Sequence, residues 1–235
     1  MTRRPVVAID GPAGAGKSTV TKRVADELGY LLVDTGALYR AVALAAQRAG
    51  VSWDDNDAVG QLAFQLVEER AVELGNQRSS GFAVKLRGED VSLAIREPSV
   101  SQGASKVSAV PAVREALLDM QRQAGASGGA VLEGRDIGTV VFPNAEAKFF
   151  LTASVDVRAR RRFDELVARG SAPELAEVQR EVAERDLRDS TRPIAPLKQA
   201  SDARIIDSSV LSIDQVVARI VQRVREVEAE LGALG

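Results

Sequence analysis

The chain has 235 residues, of which 45% are hydrophobic and 27% charged, with a formal net charge of -2. That is enough apolar material for a substantial core in one or two domains, and too little charge for a general pull toward nucleic acid or anionic membrane. There is no cysteine and no histidine, which excludes disulfides, thiolate chemistry, Cys- or His-ligated metals, histidine general bases and Ser-His-Asp triads. Any chemistry must therefore rest on carboxylates, Lys, Arg, hydroxyls, the backbone and a bound ion.

The opening residues MTRRPVVAIDG carry basic residues and then an apolar run of four before Asp10. That run is too short for a secretory signal, and no apolar stretch approaches the ~20 residues that span a bilayer. The expectation is a soluble cytoplasmic protein. Val6 to Ile9 reads as a buried strand running into a Gly-rich turn, and Ser18 to Leu28 as a helix stopped by Gly29. Leu31 to Val33 is a second buried strand, followed by a helix from Leu38 to Gln47. Alternating strands and helices with short connections imply a parallel sheet. The middle differs: Arg70 to Leu74, Phe82 to Leu86 and Val91 to Ile95 read as short strands, separated by the turn-rich GNQRSSG and RGED. A small antiparallel sheet inserted into an α/β core is predicted. A helix at Val113 to Ala124, strands at Ala130 to Leu132 and Lys148 to Leu151, and charged helices at Val155 to Arg169 and Leu175 to Leu187 follow. Pro193 and Pro196 close that run. Ile205 and Ile206 read as a last strand, and Ile213 to Leu231 as an amphipathic terminal helix.

Gly11-Pro12-Ala13-Gly14-Ala15-Gly16-Lys17-Ser18 satisfies G-x-x-x-x-G-K-[ST] at every fixed position, with a strand before it and a helix after it. Glycines let successive N–H groups turn toward one anion at a helix N-terminus. Lys17 can reach the β- and γ-phosphates, and Ser18 can offer a hydroxyl to Mg²⁺. The alternative, a Gly-rich turn without a ligand, leaves that context unexplained. The loop announces a nucleoside triphosphate and says nothing of an acceptor. No N-K-x-D guanine motif follows it, and the second strand ends in DTGA rather than D-x-x-G, which weakens a GTPase-switch reading and leaves an ATPase open.

Two arginines stand at predicted strand ends, Arg40 after the second strand and Arg135 in EGRD after the third core strand. Open parallel sheets bind ligands at that edge. A lone arginine is usually a solvated ion pair, but two at the edge that carries the phosphate loop point to a second phosphate. Arg158, Arg161 and Arg162 share one predicted helix, and Arg185, Arg188 and Arg192 lie on or just after the next. The plainer reading is two charged helices with balanced i,i+4 pairs. The functional one is a mobile lid whose arginines close over phosphates, since phosphoryl transfer needs positioning and cationic stabilisation more than a base.

The segments GPAGAGKST, DTGALYR, the inserted small sheet, VREAL, EGRDIGTVVFP and ERDLRDSTRPIAPL, in that order, resemble the bacterial cytidylate kinases. These are P-loop nucleoside monophosphate kinases with an enlarged monophosphate-binding insertion. The resemblance covers nearly the whole chain; the phosphate loop is generic, and the pairing of GRDIGTVVFP with RDSTRPIAPL is specific. It implies an α/β fold with a five-stranded parallel P-loop core (residues 1–34, 115–155 and 197–235), a monophosphate-binding insertion (35–114) and a helical lid (156–196).

By the same resemblance, ATP lies on Gly11 to Ser18 and Thr19, with Arg158, Arg161 and Arg162 from the lid. CMP or dCMP meets Thr35, Arg40, Ser105, Arg114, Arg135, Asp136, Arg185, Asp189 and Arg192. Within that set Ser105, Arg114 and Asp136 read the cytosine edge, an acid accepting from its amino group and disfavouring uracil. Arg40, Arg135 and Arg192 hold the monophosphate, and Arg185 and Asp189 lie at the sugar. Lys17, Arg135, Arg188 and Arg192 are the catalytic set. Mg²⁺ accompanies ATP, with Ser18 as one ligand and Glu133 acting through water. Ser18, Thr35 and Glu133 stand where some members carry Gly, Ser and Asp. The remaining readings are a P-loop kinase for UMP, AMP or a shikimate-like acceptor, and a non-kinase ATPase. Neither nucleic acid nor membrane is expected as a partner, since RARRR is short, sits among acids and lacks interleaved aromatics. A monomer is expected.

Overall fold

The computed structural model describes residues 4–75 and 83–233. A five-stranded sheet has the order β2-β6-β1-β7-β8, built from β1 (Val6–Asp10), β2 (Leu31–Asp34), β6 (Ala130–Gly134), β7 (Ala147–Thr152) and β8 (Arg204–Asp207). A three-stranded sheet, order β3-β4-β5, comprises β3 (Val72–Gly75), β4 (Ala83–Leu86) and β5 (Glu89–Asp90). Cα packing divides the chain into two units, one of residues 1–30 and 128–235 and one of residues 31–127. The second unit thus takes in the strand before residue 35 and all of the helix that begins at Pro111.

In the first unit β1 is central, paired in parallel with β6 and β7, and β7 pairs in parallel with β8. All five β1 residues are buried, which is why VVAID reads as an unbroken run rather than an alternation: helices cover both faces. The register sets Asp10 beside Gly134, and Thr152 beside Asp207. The segments after Asp10 and after Gly134 therefore leave neighbouring strands at one carboxyl edge. α1 (Lys17–Leu28) begins from Gly16 and ends at Gly29, both left-handed, a conformation that glycine adopts without a Cβ penalty. α6 (Val155–Ala168) starts where Ser154 accepts from the Val157 N–H, a standard N-cap. α7 (Leu175–Thr191) runs four residues beyond Leu187 and ends just before Pro193. α8 (Ile213–Ala233) packs on α1. The core centres on Val7, Ile9, Leu132, Phe149, Leu151 and Ile220.

In the second unit α2 (Thr35–Arg48) begins three residues before the expected Leu38, because Asp34 caps it by accepting from the Ala37 N–H. Two helices that the sequence reading does not assign are present, α3 (Asn56–Glu68) and α4 (Pro98–Val107). α3 carries a legible signal, an Asp55 cap and buried Val59, Ala63 and Leu66. α4 is rich in Ser, Gly and Ala and has little intrinsic drive; its Gly103 lies so close to Trp53 that a Cβ would meet the ring at 2.4 Å. Close packing makes that helix, not propensity. α5 (Pro111–Gly125) starts on a proline, whose missing N–H costs nothing there.

The third strand of the small sheet is also corrected. Val91 to Ile95 is a turn leading into a 3₁₀ helix at Ala94–Arg96, and the strand is Glu89–Asp90, within the stretch read as a turn. Asp90 accepts from both the N–H and the hydroxyl of Ser92, whose Oγ accepts from the Val84 N–H. That Asx turn bends the chain away after two residues. Most of GNQRSSG, and Phe82, lie outside the described residues. No helix among the described residues is long and apolar enough to cross a membrane.

Candidate active site

The phosphate loop sits in the first unit between β1 and α1. Five consecutive carbonyls, Gly11 to Ala15, each accept from a side chain. Lys17 Nζ donates to Gly11 at 2.7 Å and to Pro12 at 2.8 Å. Arg158 donates to Ala13 at 3.3 Å, Arg161 to Gly14 at 3.3 Å, and Ser208 to Ala15 at 3.0 Å. A loop gripped by its carbonyls presents its N–H groups to the other side, the geometry of an anion nest. Gly11 is obligatory: at φ 152° it lies against β7, where a Cβ would fall 2.0 Å from the Leu151 carbonyl oxygen.

Lys17 is buried. Burial, then Arg135, pushes its ammonium well below the ordinary lysine range, against the pull of Glu133. A cation so desolvated gains from an anion brought beside it. Ser18 and Thr19 are exposed on the first turn of α1. Ser18 Oγ donates to buried Glu133 Oε2 at 3.1 Å across the sheet edge. Hydroxyl and carboxylate are hard oxygen donors of the kind Mg²⁺ takes while it keeps waters and substrate phosphates. No group of three or more acidic residues able to hold a metal ion by themselves occurs among the described residues, so an ion here would depend on the phosphates.

One residue beyond β6, Arg135 Nε donates to Asp189 Oδ2 on α7 at 3.0 Å. Burial opposes ionisation of Asp189, but the charges of Arg135 and Arg185 and the Arg135 hydrogen bond outweigh it and hold the carboxyl below its usual range. Arg192, buried just past α7, donates through Nε to the Ala195 carbonyl and lies 3.4 Å from Asp136 Oδ1. The first unit thus draws Lys17, Glu133, Arg135, Asp136, Arg185, Asp189 and Arg192 to one edge. Arg188 is exposed on α7. Arg162 donates to Glu165 on its own helix. Arg158 is buried and forks onto Asp186, while Arg161 is bound to Ser208.

In the second unit, Thr35 is buried at the start of α2, and Arg40 one turn on pairs with the cap Asp34 at 2.5 Å. Among the described residues, Arg40 Nε is buried without a hydrogen-bond partner, which leaves one donor open to a bound group. Arg114, buried on α5, lies over the Tyr39 ring at 5.4 Å and donates to the Ser108 carbonyl. The Tyr39 hydroxyl accepts from Gln121. Ser105 is buried on α4.

Three residues of the site escaped the sequence reading. Asp10 is buried and accepts from two backbone N–H groups beyond β6; its only signal is a carboxylate ending an apolar strand. Asp186 on α7 and Ser208 just past β8, which hold Arg158 and Arg161, carry no local signal, because α6 brings both arginines to them.

The family model for cytidylate kinase matches residues 7–226. The chain is 50% identical over 226 residues to the cytidylate kinase of Syntrophotalea carbinolica, covering 96% of this chain and 94% of that protein. It is 51% identical over 224 residues to that of Geobacter sulfurreducens, covering 95% and 94%. Among solved structures, a gluconokinase from Sinorhizobium meliloti 1021 superposes with a TM-score of 0.50 at 13% identity, covering 100% of this chain and 98% of the other, a likeness of fold alone. The chain belongs to the cytidylate kinase family.

Proposed function

We propose that the chain transfers the γ-phosphoryl group of ATP to the phosphate of CMP or dCMP, giving ADP and CDP or dCDP. A phosphate oxygen of the acceptor forms the new bond to the γ-phosphorus, and the bond to the β–γ bridging oxygen breaks. The supporting observation is the joining, at one sheet edge, of the carbonyl-pinned loop and Lys17 to Arg135, Asp136, Asp189 and Arg192. The first half takes a triphosphate. The second offers guanidinium groups to another anion and a carboxylate to an amino group.

On this reading Gly11 to Thr19 hold the donor phosphates, with Lys17 following the transferred group. Arg158, Arg161 and Arg162 serve the ATP side; the first two do so by fixing the loop carbonyls. Arg135, Arg188 and Arg192 neutralise charge that spreads over the equatorial oxygens. In the first unit, taken by itself, Arg135, Asp136, Arg185, Asp189 and Arg192 are assigned to CMP; in the second, by itself, Thr35, Arg40, Ser105 and Arg114 are assigned to it. No general base is needed, because the attacking phosphate is already anionic. When bound, Mg²⁺ draws charge from the donor phosphates; Ser18 would hold it directly and Glu133 through water. Residues 156–196 act as a lid that excludes water as a competing acceptor. The protein works in the cytoplasm as a monomer and needs neither nucleic acid nor membrane.

ADP release against CMP, dCMP, UMP, AMP and shikimate tests the reading. Turnover should require CMP or dCMP, and turnover indifferent to any acceptor would overturn it. Asp136→Ala should lower kcat/KM for CMP by roughly 100-fold and narrow the CMP to UMP ratio, leaving the KM for ATP nearly unchanged.

A further inference from the structure

Asp10 is a buried carboxylate to which none of the steps above gives a task. Its Oδ1 accepts from the Ile137 N–H at 2.8 Å and its Oδ2 from the Gly138 N–H at 2.8 Å. These donors open a π-helix, Ile137–Val141, in which the Asp136 carbonyl accepts from Val140 and Val141, and that of Ile137 from Phe142. The π-helix follows directly on Arg135 and Asp136. Gly134, the last residue of β6, is the strand partner of Asp10 itself. The chain therefore leaves β6 at the level of Asp10 and is caught by the Asp10 carboxylate two peptides later.

We propose that Asp10 is a positioning residue for the acceptor: by clamping the Ile137 and Gly138 N–H groups it fixes how Arg135 and Asp136 are presented. The proposal rests on CMP being the acceptor. Three features fit a positioning device better than a filler of the core. Two parallel N–H donors need two acceptor oxygens, which a carboxylate supplies and an amide does not, since its NH₂ would face one of the donors. A Cβ on Gly138 would lie 3.2 Å from Lys148 Cδ and 3.4 Å from Asp10 Oδ2, close enough to press both side chains by a few tenths of an ångström. Lys148, behind it, is tied to the Pro143 carbonyl and to Asp202, so the π-helix is held from both sides. Finally, the Asp136 side chain meets Arg192, so its backbone and its carboxylate are each fixed by a separate charge. Burial pushes the Asp10 carboxyl up to about 6, with the hydrogen bonds from Gly138 and Ile137 opposing, Asp136 adding to the rise and Lys17 opposing it. An acid held at that cost has a task beyond filling space.

The test is Asp10→Asn, with Gly138→Ala as the second variant, because it presses on the same contact from the other side. For each, kcat/KM for CMP should fall on the order of 10- to 100-fold through misplaced Arg135 and Asp136. The KM for ATP should stay within about twofold. In the ligand-free protein, hydrogen exchange at the Ile137 and Gly138 amides should accelerate once corrected for intrinsic rates. A loss shared equally by ATP and CMP, wild-type CMP kinetics in a folded variant, or unchanged exchange would each overturn the proposal. Should Asp10→Asn fail to fold, the Gly138→Ala kinetics and exchange decide alone. A wild-type protein inactive on CMP would instead overturn the proposed function, while the exchange measurement still judges the clamp.

Discussion

Arg158, which the family resemblance sets on the ATP side, is 3% exposed. It forks onto Asp186 at 2.9 and 2.6 Å, and donates to the carbonyls of Ala153 at 2.8 Å and Ala13 at 3.3 Å. One guanidinium thus ties α6 to α7 and both to the phosphate loop. Arg158→Met keeps much of the stem and removes the fork. Breaking a buried pair costs about 3–5 kcal/mol; because the Asp186 side chain is 23% exposed, its stranded charge is partly solvated and the lower end applies. The expected loss is about 3 kcal/mol, or roughly 6–12 °C in Tm for a chain of this size. Asp186→Leu should cost about as much or more, since it strands the more deeply buried charge. The double variant should recover roughly 1–3 kcal/mol of the summed loss, because neither charge is left alone. Urea unfolding of the four proteins, without ligand, measures the cycle. Additivity within about 0.5 kcal/mol would refute the brace and leave Arg158 an arginine with no structural partner worth its burial.

Other outcomes follow from the same geometry. Gly11→Ala drives a Cβ to 2.0 Å from the Leu151 carbonyl oxygen; it should cost about 2–5 kcal/mol in overpacking and backbone strain, seen as a fall in Tm and lost ATP binding. The Asp10 carboxyl is raised from 3.8 to about 6 on folding, so the native state binds its proton more tightly than the unfolded chain. Its contribution to stability is full below pH ~4 and falls by about 3 kcal/mol as pH rises through 6, roughly two units at about 1.4 kcal/mol each. Asp10→Asn should lack that falling limb, so the difference between the wild-type and variant unfolding-versus-pH curves should fall by about 3 kcal/mol between pH ~4 and 6, and a flat difference would refute the shift. Asp189 has the opposite sign: its folded pKa is depressed, so its contribution is present above the unfolded value near 3.8 and is lost as pH falls through the folded one. Asp189→Asn should flatten the acid limb, and an unchanged limb would count against the Arg135–Asp189 pair.

Two of the corrections, α4 and the third small strand, share a cause, whereas α3 carries a local signal in its Asp55 cap and its Val59, Ala63 and Leu66 stripe. The Gly11 to Ser18 loop, the central strands and the long helices were legible because each is specified locally, by period, caps and turn residues. α4 is hard to read because the buried stripe of PSVSQGASKV is made of small residues, Val100, Gly103, Ala104 and Val107, set among serines that favour turns; the helix packs where Gly103 meets Trp53. The third small strand was displaced by two residues because Ser92 bonds to Asp90 and Val84 rather than continuing the ladder. In the candidate site, residue types at strand ends were readable, but which arginine is committed to which carboxylate was not.

The sequence alone is enough to place a triphosphate-binding loop between a buried strand and a helix, to rule out histidine and cysteine chemistry, and to set arginines where a second phosphate would be met. Residue order and short-range backbone geometry suffice for those. That Asp10 clamps the chain beyond β6, that Arg158 and Arg161 grip loop carbonyls, and that Ser208 and Asp186 hold them in place follows from the folded packing. Those pairings join residues separated by 28 to 193 positions. A buried charge takes whichever partner the packing of distant strands and helices brings within hydrogen-bond reach, and no local pattern encodes that choice.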